Sequence, residues 1–146
     1  MSITQFSAPA SGGVILGPES SILTHATFGD FGAAEVVLAV QTTSATTAVI
    51  GQLTLDDNSL YFFDAYIIAR GASGRAYYER SVRCHRQGGG GATLGTVDFI
   101  TTDESVGAVS WNATYATSSN DIQITVQGAA GVTIEWLAKV TVGKVS

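Results

Sequence analysis

The chain has 146 residues, a formal net charge of −5, 45% hydrophobic residues and only 13% charged residues. Its length suits one domain, and its negative charge argues against binding nucleic acid through counterion release. The apolar runs are too short to cross a bilayer, and the first residues lack the basic start of a secretory signal. We therefore expect a cytoplasmically made protein with no membrane insertion and no nucleic-acid partner.

The N-terminal segment 1–35 is rich in small residues, is interrupted by glycine and proline, and shows no sustained strand or helix period. It still carries more apolar side chains than a solvated disordered tail usually has. We interpret it as an extended arm that lies either on its own domain or on a neighbouring subunit. The arm residues predicted to contact a neighbour are Ile3, Phe6, Val14, Ile15 and Leu16.

The segment 60–70 has apolar side chains on both of its strand faces. One face carries Tyr61, Phe63, Ala65 and Ile67, and the other carries Leu60, Phe62, Tyr66 and Ile68. A half-exposed antiparallel strand normally alternates apolar and polar residues. This strand is therefore predicted to be central in its sheet or buried at an interface.

The C-terminal half alternates more regularly, in the segments 109–116, 121–127 and 133–142. Short strands separated by glycine-rich or Asn/Asp turns are typical of antiparallel sandwiches and jelly rolls. No segment has a helical apolar stripe over three turns. The sequence predicts an all-β protein, with an antiparallel, jelly-roll-like β-sandwich at 36–146 after the arm at 1–35.

The chain offers few groups for a metal or a nucleophile. A structural metal site needs clustered Cys and His, and only Cys84, His25 and His85 are present. Cys84 and His85 are neighbours in a predicted strand, so they point to opposite faces and cannot form a dyad. The glycine run 88–91 lacks the Lys and Ser/Thr of a phosphate loop, and we interpret it as a hairpin tip. We predict no catalytic residue, no cofactor and no metal.

Carboxylates and aromatic residues leave two alternatives open. A glycosidase needs two convergent carboxylates, but most acidic residues here fall in predicted turns. Asp64 lies within a strand and is expected to pair with Arg70, Arg80 or a backbone donor. The aromatic residues that could stack on a sugar are Trp111, Tyr115 and Trp136. Their alternation is that of a core face, so core packing is favoured.

An ordered set of motifs starts at the aromatic-rich segment 61–70. It continues through Gly74, Tyr77-Tyr78-Glu79, the glycine-rich turn 88–95, Trp111, the Gly-Ala-Ala-Gly turn 128–131 and Trp136. In order and approximate spacing, the set resembles a β-sandwich module of structural proteins of tailed bacteriophages. The arm lies outside the resemblance. The resemblance implies a virion protein of tail fibres, receptor-binding tips or capsid accessory proteins, often trimeric, and it brings no catalytic residues.

From this resemblance we expect a virion protein that is made in the host cytoplasm and is not an enzyme. The chain lacks the fibre shaft that normally precedes such a module. Capsid decoration is therefore the first expectation, as a homotrimer bound to the major capsid protein. The alternative is a lectin-like tail-fibre or tail-tip protein that touches host glycan through loops 101–109 and 117–121. A third class, a polysaccharide hydrolase, would need two carboxylates in a groove.

Overall fold

The computed structural model describes residues 31–146 and, before them, the backbone of residues 14 and 15. Regular structure in these residues is almost entirely β. The strands are β1 (Val14–Ile15), β2 (Phe31–Thr42), β3 (Thr47–Thr54), β4 (Ser59–Gly71), β5 (Gly74–Arg86), β6 (Thr93–Leu94), β7 (Asp98–Glu104), β8 (Asn112–Ser118), β9 (Asp121–Gln127) and β10 (Ile134–Val145). A 3-10 turn at Val106–Ala108 lies between β7 and β8.

The strands form two sheets that pack together, which confirms the predicted all-β sandwich. The large sheet has the order β1-β2-β10-β4-β5-β6, and β7 also pairs with β5. The small sheet has the order β3-β9-β8. Among the described strands every pairing is antiparallel except that of β1 with β2. β4 lies between β10 and β5, so its predicted central position is confirmed.

The arm meets the domain at β1, which lies parallel to β2. Val14 is opposite Val37, and Ile15 is opposite Leu38. Two of the five residues predicted to contact a neighbour therefore lie beside a strand of their own chain. The other three, Ile3, Phe6 and Leu16, lie outside the described residues. β2 runs across the predicted boundary at residue 35, and both the boundary and the neighbour contact stay predictions.

The core lies between the sheets and is built around aromatic rings. The ring of Trp136 stacks on that of Tyr78, with centroids 6.2 Å apart, and meets the ring of Trp111 at 6.1 Å. Phe63 and Tyr115 meet edge to face at 6.0 Å. Because Trp111, Tyr115 and Trp136 are all buried, the prediction that they belong to the core is confirmed.

Cys84 belongs to this core and is only 3% exposed. Burial raises the pKa of its thiol to about 12, so the nucleophilic thiolate is suppressed at neutral pH. His85 is the next residue of β5 and lies on its outward side. Within residues 31–146 no three side chains are grouped as metal ligands, and no helix is long and apolar enough to span a membrane.

The glycine run 88–91 forms a turn that is held by the loop between β3 and β4. Gly88 and Gly89 have φ angles of 63° and 74°, which glycine adopts without strain. The amide of Gly89 donates to both carboxylate oxygens of Asp57, at 2.9 and 3.1 Å, and that of Gly88 donates to Asn58 Oδ1 at 3.2 Å. These two amides, which a phosphate loop would offer to its ligand, already have partners within the chain.

Candidate functional site: the outer face of the large sheet

The outward side chains of β10, β4 and β5 form a surface that we call the outer face. An antiparallel sheet with one face on the core normally presents polar residues on the other face. Here the second face is rich in large apolar side chains, each at least 40% exposed. They are Leu60, Phe62, Tyr66, Ile68, Tyr77, Leu137 and Val145. The alternation of each strand thus supplies apolar groups to the core and to the outer face alike.

The strand register brings these side chains together. Ile68 is opposite Leu137 on β10 and opposite Tyr77 on β5, so the three residues form one row across the sheet. Leu60 is opposite Val145 near the other end of the face. A shallow depression of about 1320 Å³ lies over the Ile68 row. The outer face therefore has apolar side chains toward both of its ends.

Phe62 lies flat across β10 at Gly143. A Cβ atom placed on Gly143 would overlap the ring of Phe62, so glycine is needed for this close approach. The ring covers the glycine, and 46% of Phe62 stays exposed. The result is a flat aromatic surface on a rigid sheet.

Asp64 is the polar residue in the middle of β4, and it also lies on the outer face. Its Oδ1 is buried and accepts no hydrogen bond from any residue of 31–146. Burial raises the pKa of its carboxyl, and the negative charge of Glu79 raises it further. The expected pairing with an arginine is wrong. Arg80 points into the core on the opposite face, and no ion pair within residues 31–146 includes Asp64.

We expect Asp64→Asn to stabilise the folded chain at neutral pH. The carboxyl pKa is higher in the folded state than its usual value of 3.8. The protonated form therefore favours folding, and this contribution is lost as pH rises through the folded pKa. Thermal denaturation at pH 7 should show a melting temperature raised by about 2 °C, with no gain at pH 3. The control Asp103→Asn, at an exposed position of β7, should change neither melt. An equal gain at both pH values would contradict this account.

The other carboxylates considered for a glycosidase mostly have structural partners. Three of them accept hydrogen bonds from other side chains: Asp56 from Lys144, Glu104 from Tyr78, and Asp121 from Thr54. The proposed glycan loop 101–109 is partly wrong as well, because its first four residues belong to β7, which pairs with β5. That the chain is not an enzyme stays a prediction.

The sequence predicts contacts in the arm and the loops but no site on the outer face. The signal was present in the two-sided apolar pattern of 60–70. The contributions of Tyr77 and Leu137 could not be seen, because they lie next to Ile68 only through strand pairing.

No protein-family model and no curated protein matches the sequence. The solved structures that are similar to this chain include two phage tailspike proteins. The tailspike protein of Acinetobacter baumannii phage AM24 has 9% identity and a TM-score of 0.43, over 80% of this chain and 26% of the tailspike. The tailspike gp49 of Acinetobacter baumannii bacteriophage Fri1, a capsular polysaccharide depolymerase, has 13% identity and a TM-score of 0.33, over 79% of this chain and 20% of that protein. The chain thus spans about a quarter of the first and a fifth of the second.

Proposed function

We propose that this chain is a structural protein of a tailed-phage virion, associated with the tail, and that it binds other proteins through the outer face. The observation that carries the proposal is the outer face itself, where seven large apolar side chains are 40% to 63% exposed. Apolar patches larger than a few hundred Å² are rare on monomers and mark interaction sites. A rigid sheet also presents such a patch at little cost in conformational entropy.

The phage assignment rests on the resemblance that the ordered motifs of residues 61–138 carry. Tail fibres are one of the settings in which that module occurs. Two of the three settings that the resemblance implies, tail fibres and receptor-binding tips, belong to the tail, so we place the tail before capsid decoration.

The test is to locate the protein in the particle. Heads and tails of the parent phage are separated and probed with an antibody against this chain, and the signal is expected with the tails. A signal confined to the heads would restore capsid decoration. Absence from purified particles would overturn the virion proposal.

A variant links the location to the outer face. Ile68→Glu places a charge in the middle of the Ile68 row and is expected to lower incorporation at least about tenfold, because a buried unpaired charge is costly. Val109→Glu is the matched control, since Val109 is 70% exposed and lies off the outer face. Equal incorporation of the two variants would show that the outer face is not the binding surface.

A glycan-binding tip is the second candidate, and the ring of Phe62 is the observation that favours it. A flat, exposed ring on a rigid support can pack against the apolar face of a sugar. A glycan array with wild-type protein and Phe62→Ala tests this candidate. Binding that the substitution abolishes would support it, and the absence of any bound glycan would contradict it.

A further inference from the structure

The two strands that flank β4 on the outer face carry opposite charges at the same heights. The register places Glu135 on β10 and Arg75 on β5 on either side of one β4 residue. Four residues from this first pair, the register places Lys139 on β10 and Glu79 on β5 on either side of Tyr66. The charge on β10 is thus the reverse of the charge on β5 at both levels.

This pattern is self-complementary under a two-fold rotation about an axis along β4. Such a rotation exchanges β10 of one copy with β5 of the other and keeps every residue at its own height. Glu135 then meets Arg75 of the second copy, and Lys139 meets Glu79 of the second copy. An isologous interface requires that one patch complement itself in this way.

We infer that the outer face pairs with the outer face of a second copy of this chain, with the two-fold axis along β4. The inference rests on the proposed function and names the partner of the same surface. The two sheets would pack face to face in an aligned manner, with the two β4 strands running in the same direction.

The apolar side chains fit the same arrangement. Leu137 meets Tyr77 of the second copy, since the two residues flank Ile68 at one height. Ile68 lies on β4 and meets its own counterpart, whereas the ring of Phe62 lies over β10 and would face β5 of the second copy. The exposed apolar side chains amount to on the order of 700 Å² per subunit, close to the roughly 800 Å² per partner of a standard interface.

Like charges also meet in this pairing. Asp64 and Arg70 lie on β4 and would meet their own counterparts, each once in the pair. Farther from the axis, Glu35 on β2 would meet Asp98 on β7 of the second copy, twice by symmetry, as each complementary contact beside β4 does. Lys139 Nζ also lies 3.7 Å from Glu35 in its own chain, but both side chains are more than half exposed, and such pairs contribute little.

Two charge reversals test the geometry. Lys139→Glu brings negative charges together at its contact, and Glu79→Lys brings positive charges together there. Each variant alone is expected to lower self-association of the full chain at least about tenfold, measured by sedimentation velocity with light scattering. An equimolar mixture of the two variants should recover the dimer, because both contacts then join opposite charges again.

Recovery in the mixture cannot arise from a folding defect of either variant, so it isolates the contact. Thr47→Glu, which adds a charge at an exposed position of the small sheet, should leave the dimer intact. A wild-type monomer at about 100 μM, a wild-type trimer, or a mixture that stays dissociated would each overturn the pairing. If the wild-type protein is a monomer but is incorporated into tails, and Ile68→Glu lowers that incorporation, the proposed function still holds. A dimer that is absent from virions would overturn that function and leave the pairing standing.

Discussion

Replacing Trp136 with alanine is expected to lower the free energy of unfolding by about 3–5 kcal/mol, a large share of the stability of a small domain. Trp136 is 2% exposed and touches the rings of Tyr78 and Trp111. Its Nε1 donates a hydrogen bond to Thr42 Oγ1 at 2.9 Å. The substitution therefore opens a cavity at the centre of the core and leaves a buried hydroxyl without its donor.

Urea denaturation followed by tryptophan fluorescence and circular dichroism measures this loss. Val109→Ala is the control at an exposed site and should change stability by less than about 0.5 kcal/mol. Thr42→Val separates the hydrogen bond from the packing and should cost about 1–3 kcal/mol. A Trp136→Ala protein that lost less than the Thr42→Val protein would contradict the central place of the ring.

Arg80→Met is expected to lower the free energy of unfolding by about 3 kcal/mol. Arg80 is 2% exposed, and its Nε donates to the carbonyl oxygen of Ala113 at 2.7 Å. Its Nη1 donates to the carbonyl oxygen of Thr101. The guanidinium also lies over the rings of Tyr78 and Phe99, at 4.8 and 4.5 Å from their centroids. One side chain of β5 thus links β8, in the small sheet, to β7, which pairs with β5 in the large sheet.

Methionine fills most of the arginine volume but donates no hydrogen bond, so the carbonyl oxygens of Ala113, Thr101 and Glu79 each lose a donor. The matched control is Arg83→Met, because Arg83 is exposed on the same strand and should change stability by less than about 0.5 kcal/mol. Arg80→Lys keeps the charge without the planar fork and should recover only part of the loss. Equal stability of the Arg80→Met and Arg83→Met proteins would show that the buried guanidinium does not hold the sheets together.

The outer face and the core have the same origin in the chain. In β4 every second residue from Tyr61 to Ile67 is buried, and the apolar residues between them are exposed. Core packing therefore accounts for half of the apolar content of this strand. The other half has no partner within the described part of the chain, which is why we assign it to association with protein.

The amino-acid sequence by itself determined the properties that depend on local alternation. The two-residue period of a strand is visible in one segment at a time. The all-β class, the burial of Trp111 and Trp136 and the opposite orientation of Cys84 and His85 followed from it, and all agree with the structure.

Only the tertiary structure decided the properties that depend on which strands are neighbours. β10 inserts between β2 and β4, although more than sixty residues separate it from either strand in the sequence. Strand pairing between distant segments is set by the packing of the whole sandwich, and a single segment holds no record of it. For that reason the charge pattern across β4 and the hydrogen-bond partners of Arg80 on β7 and β8 were not foreseen. The lack of a partner for Asp64 within residues 31–146 and the extension of the strand through 102–104 were missed for the same reason.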